Sequence, residues 1–219
     1  MGIVQLFHLF FNIILLFGRF SFVVQVKDDK TNGYDGIRNN LAVKFDTYYN
    51  HEQHEPFENH ISVQTRGWSG PNSADHNFSL GYTNTIPDLT DGEIDVRIKY
   101  VPRFDVDEIT KESFTVTSHT MHFFENSDYP HGGMADWSIA GLGLLYIYVE
   151  NLKDATLVIP LNLDATLKLN HGRAWVGFTA STGIDTFQVH DILQWKFSSL
   201  RMDIDHYPPL IVNGNGGHV

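Results

Sequence analysis

The strongest constraint in this sequence is alternation. Leu41, Val43 and Phe45 alternate with Ala42, Lys44 and Asp46, and Ile94, Val96, Ile98 and Tyr100 alternate with Asp95, Arg97 and Lys99. Leu145, Ile147 and Val149 alternate with Tyr146, Tyr148 and Glu150, and Leu193, Trp195 and Phe197 close the pattern. A period of two sends successive side chains to opposite faces of an extended strand. Each segment therefore reads as an antiparallel strand with one buried and one wet face. Turn-forming clusters separate the segments, at 28–36 (DDKTNGYDG), 66–75 (RGWSGPNSAD), 87–93 (PDLTDGE) and 125–133 (ENSDYPHGG). No long segment of 3.6-residue period interrupts them. Many strands joined by Gly, Pro and Asn turns, without strand–helix alternation, predict an all-β antiparallel two-sheet jelly-roll sandwich. The chain's 219 residues suit one such domain.

Charge narrows what this domain can do. A formal net charge of −11 argues against nucleic acid as a partner, since phosphate binding needs clustered Lys and Arg. The chain has no Cys, which excludes disulfides, thiol catalysis and thiolate metal sites. Any chemistry must come from its 12 His, its carboxylates and its hydroxyls. The ends are less uniform. Residues 3–18 (IVQLFHLFFNIILLFG) are the most apolar stretch, short for a membrane span, so no span is expected. They have the length of a signal-peptide core without a Lys or Arg ahead of it, and they run on into the alternating FSFVVQV of 20–26. A signal peptide, directing the chain into the secretory pathway, and a substitute strand are both compatible with residues 1–17. Residues 18–200 make up the sandwich, and the Gly/Asn-rich 201–219 reads as a loose tail.

One segment concentrates ligand-type side chains: LAVKFDTYYNHEQHEPFENHISV, residues 41–63. Asp46, Asn50, Glu55 and His60 follow at spacings of four, five and five. Asp46 ends one predicted strand and His60 begins the next, so the loop between them can fold its ligands back onto the strand end. Calcium takes six to eight oxygens from carboxylates, amides, backbone carbonyls and water, which Asp46, Asn50 and Glu55 could begin to supply. His60 suits a neighbouring transition metal instead. The bland alternative is a polar hairpin loop.

This run resembles the metal-and-sugar loop of the legume-type (L-type) lectins, V-E-F-D-T-aromatic-x-N followed by D-P and H-I. Here it reads Val43-Lys44-Phe45-Asp46-Thr47-Tyr48-Tyr49-Asn50, then Glu55-Pro56 and His60-Ile61. RAWVGFTASTG (173–183) is similar to that family's V-G-F-[ST]-A-[ST]-T-G segment, and HDILQWKF (190–197) to its H-x-[IL]-x-S-W-x-F strand. The likeness spans about Phe20 to Leu200. It implies a concanavalin A-like sandwich, a lectin that binds glycans or glycoproteins beside calcium without catalysing a reaction. On this resemblance Asp46, the Tyr48 carbonyl, Asn50 and Glu55 hold the calcium. The Asn50 amide meets a sugar hydroxyl, and the Tyr48 ring lies under the sugar's apolar face. Gly33 presents a backbone N–H to the sugar, and Asp185 and Thr186 lie where sugar identity is read.

Three positions depart from the family. Lys44 replaces its Glu on the strand face that carries Asp46, where an ammonium repels a cation. The transition-metal position beside His60 is therefore expected to be lost, its charge supplied by Lys44, while calcium survives. Glu55 replaces an Asp, moving the carboxylate by about 1.5 Å, which calcium tolerates. Gly18 replaces the Asp that anchors two sugar hydroxyls in A-D-G-[LF]-A-F. The last departure keeps alive a second reading, a structural or protein-interaction sandwich that has lost sugar binding. A glycoside hydrolase on the same sandwich ranks lower, because Lys44 and Tyr49 break the E-x-D-x-x-E pattern that retaining enzymes of this architecture use. An unpaired sheet edge would favour a homo-oligomer. Among single residues, Trp175 and Trp195 are expected in the core, and Trp68, in a turn cluster, is the better candidate for exposure. His119 and His122 fall on opposite faces of a strand, which rejects them as a metal pair.

Overall fold

A computed structural model describes residues 5–16, 18–26, 34–102, 143–171, 173–182, 189–201 and 210–218. Two antiparallel sheets face each other. Their strands are β1 (Gln5–Leu15), β2 (Arg19–Gln25), β3 (Asn40–Asp46), β4 (His60–Thr65), β5 (Ser79–Thr83) and β6 (Glu93–Val101). β7 (Gly143–Val149), β8 (Leu157–Leu161), β9 (Trp175–Ser181), β10 (His190–Arg201) and β11 (Leu210–His218) follow. The six-stranded sheet runs β11-β10-β1-β6-β7-β8 and the five-stranded sheet β5-β4-β3-β2-β9. The α-helix among the described residues, α1 (Leu163–Leu167), is five residues long.

The alternation read from the sequence sets the core. Phe7, Leu9, Phe11, Ile13 and Leu15 of β1 pack against Phe20, Phe22 and Val24 of β2 and Leu41, Val43 and Phe45 of β3. Aromatic rings bridge the sheets. Phe11 meets Phe45 and Phe178 edge-on, at centroid distances of 5.8 and 5.3 Å. Residues 5–15 thus lie at the centre of the larger sheet, paired with β10 on one side and β6 on the other. From Phe7 to Leu15 their odd-numbered side chains are all apolar, which is why a stretch with the length of a signal-peptide core also makes a central strand.

Three expectations need correction. Residues 210–218, read from their Gly and Asn as a loose tail, form edge strand β11 on β10. Backbone hydrogen bonds suffice for such pairing, whatever the side chains. Trp175, expected in the core, is 58% exposed. It opens edge strand β9, where Val24↔Val176 and Phe22↔Phe178 take the core-facing register and leave Trp175 opposite Gln25 on the outer face. Trp195 is half-buried against the core as expected. Trp68, the candidate for exposure, is also half-buried there, with the Lys168 ammonium 3.7 Å from its ring centre.

The third correction matters most for function. Tyr146 and Tyr148 of β7, expected on a wet face, are buried, and so is the second face of β3, where Lys44 and Asp46 lie buried beside His60, Ser62 and Gln64 of β4. Two segments roof this outer face of the smaller sheet. Asn40 donates from its side chain to the carbonyls of Tyr34 and Ile37, fixing the approach to β3. Asn72 donates to the Gln64 carbonyl and exchanges backbone hydrogen bonds with residues 36 and 37, fixing the stretch from 71 onward. Beneath them Val23, Tyr34, Ala42 and Ala74 form a small second core.

Candidate functional site

Strand register aligns one row across the outer face of the five-stranded sheet: Ser181, Arg19, Asp46 and His60 on β9, β2, β3 and β4. The next row is Thr179, Ser21, Lys44, Ser62 and Tyr82. Two cations, one carboxylate and one imidazole thus face the same side at the end of the sheet. The loop leaving β3 adds the second carboxylate. It turns through a short 3-10 segment at His51–Gln53, closes with His54 in the left-handed region (φ 53°), and delivers Glu55 over the row.

The result is a closed ionic cluster. Lys44 Nζ lies 3.1 Å from Asp46 Oδ2 and 2.8 Å from Glu55 Oε1. Arg19 reaches the same two oxygens, with Nε 2.9 Å from Asp46 Oδ2 and a terminal nitrogen 3.0 Å from Glu55 Oε1. The remaining carboxylate oxygens accept from the loop backbone, Asp46 Oδ1 from the Tyr48 N–H at 3.0 Å and Glu55 Oε2 from the Asn50 N–H. The side chains of Lys44, Asp46 and Glu55 are fully buried, and that of Arg19 is 17% exposed. Burial pushes the Glu55 carboxyl above its usual range, Asp46 pushes it the same way, and Lys44 and Arg19 oppose them.

A histidine pair adjoins the cluster. His60 Nε2 and His76 Nε2 are 3.0 Å apart. His60 Nδ1 lies 3.2 Å from the Glu58 carbonyl, so the consistent tautomers have His60 donating from Nδ1 and accepting from His76 at Nε2. Burial, reinforced by Lys44, lowers the pKa of His60 to about 4 and that of His76 to about 3. One ligand atom each from Glu55, His60 and His76 falls within a 4.8 Å span. A metal drawing on all three would have to share Glu55 with the Lys44 ammonium.

Of the residues expected to form the site, the structure therefore gathers Asp46, Glu55 and His60 in one cluster and ties the Tyr48 and Asn50 backbone to it. The Tyr48 ring is 55% exposed, as a sugar platform would be, and Tyr49 beside it is also exposed. Gly33, Asp185 and Thr186 lie outside the described residues, as do His119 and His122. Gly18 has φ 119°, and a Cβ there would meet the Ser181 carbonyl oxygen at 2.9 Å. The backbone at this position does not accept the family's Asp without moving.

Sequence reasoning missed Arg19, His76 and a cavity beside the cluster, lined by Arg19, Ser21, Tyr34, Asp35, Thr179 and Ser181 among others. Its wall is polar, and burial raises the Tyr34 phenol far above its usual range, keeping it neutral. The Arg19 signal was present in Phe17-Gly18-Arg19-Phe20, where a cation stands at the family's Gly. His76 had no spacing cue, because it reaches His60 only through the fold.

No protein-family model and no curated protein sequence matches the chain. Solved structures do. Peanut lectin, solved with a nine-residue peptide, superposes with a TM-score of 0.55 at 18% identity, covering 92% of this chain and 74% of that one. The exoplasmic/lumenal domain of VIP36, in a Ca2+/Man3GlcNAc-bound form, gives 0.51 at 14% identity, covering 94% and 73%. The likeness is one of fold: the chain is an all-β sandwich of two antiparallel sheets built as in the legume and L-type lectins.

Proposed function

We propose that the chain is a carbohydrate-binding protein without catalytic activity, working in the secretory pathway or outside the cell on glycans or glycoproteins. One observation carries the reading. The loop that leaves β3 is pinned from below by Asp46 and Glu55, and it holds out an exposed Tyr48 ring and a half-buried Asn50. A fixed aromatic surface and a few oriented polar groups are what a pyranose needs from a shallow site. The VIP36 domain, solved with Man3GlcNAc, supports it at the level of fold. No glycosidase pair is formed by Asp46 and Glu55, since both carboxylates are neutralised and closed off by Lys44 and Arg19.

Calcium fits less well. The donor set named for it, Asp46, the Tyr48 carbonyl, Asn50 and Glu55, is present, but every carboxylate oxygen in it already accepts a hydrogen bond from the protein.

A glycan array probed with the purified chain tests the proposal. Binding that Tyr48→Ala weakens at least about tenfold, the scale of losing one stacked aromatic contact, is the expected result. A blank array from folded protein would favour the second reading, an interaction sandwich that has lost sugar binding. The glycine-only geometry at Gly18, where the family's Asp has no room, is the observation behind that alternative. Either reading allows assembly of copies through the sheet edges.

A further inference from the structure

We infer that Lys44 and Arg19 take the place of both metal ions of the L-type site, so that the loop after β3 is held without any divalent cation. The sequence already sets an ammonium against the transition-metal position. The structure adds a guanidinium against the same two carboxylates and so reaches the calcium position as well. Lys44 Nζ bridges Asp46 Oδ2 and Glu55 Oε1 at 3.1 and 2.8 Å, the task an ion performs when it ties two carboxylates together. Arg19 bridges the same pair from β2 at 2.9 and 3.0 Å.

Charge and donor count both support this. Two cations against two carboxylates make the cluster formally neutral. A calcium ion added to it would leave a double positive charge among side chains of which only Arg19 reaches solvent, and no further carboxylate bridges the two cations. Each bridged oxygen, Asp46 Oδ2 and Glu55 Oε1, already accepts from both cations. The outer oxygens accept from the Tyr48 and Asn50 N–H groups, so a bidentate grip on calcium would pull both carboxylates off the loop backbone. Of the adjoining histidine pair, His60 is engaged at both ring nitrogens, by His76 Nε2 and the Glu58 carbonyl, whereas the buried His76 Nδ1 has no hydrogen-bond partner, which is why zinc belongs in the test. Holding the loop with side chains frees its function from the supply of calcium. This deepens the proposed glycan reading, but its stability arm stands whether or not a glycan binds.

The experiment compares thermal unfolding of the purified chain in chelator with unfolding in calcium, manganese or zinc at millimolar concentration. The wild-type midpoint is expected to move by less than about 1 °C, since a ligand that does not bind the native state adds no stability. A rise of several degrees with any of the three, reversed by chelator, would overturn the inference. Lys44→Met is expected to lower the midpoint by roughly 10 °C, because it strands buried carboxylates, while Lys44→Arg recovers most of the loss. Should Lys44→Met yield no folded protein, the wild-type comparison and Lys44→Arg still decide. A Lys44→Met midpoint equal to wild type would show that the ammonium does not hold the loop, and would also overturn the inference. Where a glycan has been found on the array, its affinity is expected to be equal in chelator and calcium. A blank array removes the glycan reading and leaves the stability result intact.

Discussion

The outer faces of the two sheets begin from the same sequence pattern and end as different materials. On the smaller sheet, Lys44 and Asp46 alternate with core residues of β3 and are sealed under the approach to β3, the stretch from residue 71 onward and Glu55 of the loop after β3. On the larger sheet, Asp95, Arg97 and Lys99 alternate with core residues of β6 and stay at or near solvent, although Leu144, Tyr146, Tyr148 and Val158 on β7 and β8 beside them are buried. There the cations lie over aromatic rings of β7, Arg97 at 3.7 Å from the centre of Tyr148 and Lys99 at 5.3 Å from that of Tyr146. Alternation says which way a side chain points. Whether water reaches it is decided by loops from elsewhere in the chain, and that difference converts a solvated strand face into a locked ionic cluster.

The comparison breaks most clearly at Asp46. Asp46→Asn keeps the shape of the side chain and removes one of the two charges that balance Lys44 and Arg19. Removing one partner of a buried, hydrogen-bonded pair leaves the other uncompensated, at a cost of about 3–5 kcal/mol. Urea unfolding of the variant is expected to show a loss of that size. A loss below about 1 kcal/mol would mean that water reaches the cluster and that the two faces are alike after all.

Acid sharpens the comparison at intermediate size. His60 and His76 under the loops have pKa values of about 4 and about 3, held down by burial and then by Lys44. In the unfolded chain both titrate near 6.5. Between about pH 6.5 and 4 the unfolded chain therefore binds protons that the native state refuses, and stability falls as pH falls. The slope is up to about 1.4 kcal/mol per pH unit for each histidine. Glu55, whose carboxyl is raised by burial, opposes this in the lower part of the window. His76→Gln is expected to reduce the slope measured by urea unfolding across this range. On the larger sheet His8 is shifted the same way but is only partly buried, so His8→Gln is expected to change the slope less. Equal slopes in wild type and His76→Gln would remove the sealed histidine pair from the account.

How much of this was legible follows the same division. The core strands β3, β6 and β7 are readable from Val, Ile, Leu and Phe at every second position, because burial against the facing sheet is a local pattern. On β10 the alternation holds at Trp195 and Phe197 and fails at Leu193, which a register shift leaves exposed while Ile192 is buried. Asp46, Glu55 and His60 were readable as one site because a single loop joins them. Arg19 and His76 were not, since they reach that site from 27 residues before Asp46 and 16 residues after His60. Lys44 was readable as hostile to a metal but not as fully sealed, which required the roof fixed by Asn40 and Asn72. Trp175 was misplaced because a core residue and an edge residue of the same type look identical until the strand order is known. Residues 5–15 left signal and strand both open, since an apolar run serves either until its partners, β6 and β10, are in view.

The smallest effect is expected on the open face, and it is the one that calibrates the others. The Arg97 guanidinium stacks on Tyr148 and comes within 5.9 Å of the centre of the Phe10 ring on β1. Such contacts near a surface are worth about 0.5–1 kcal/mol, and the aliphatic stem adds some packing. Arg97→Ala is therefore expected to cost about 1 kcal/mol in urea unfolding, several times less than Asp46→Asn. Arg97→Lys should recover part of it, because an ammonium also sits over a ring but without the planar stacking. If Arg97→Ala instead matched Asp46→Asn, the β6 strip of the larger sheet's outer face would be as sealed as the smaller sheet's. The contrast between a face that water reaches and a face that loops have closed would then rest on the histidines alone.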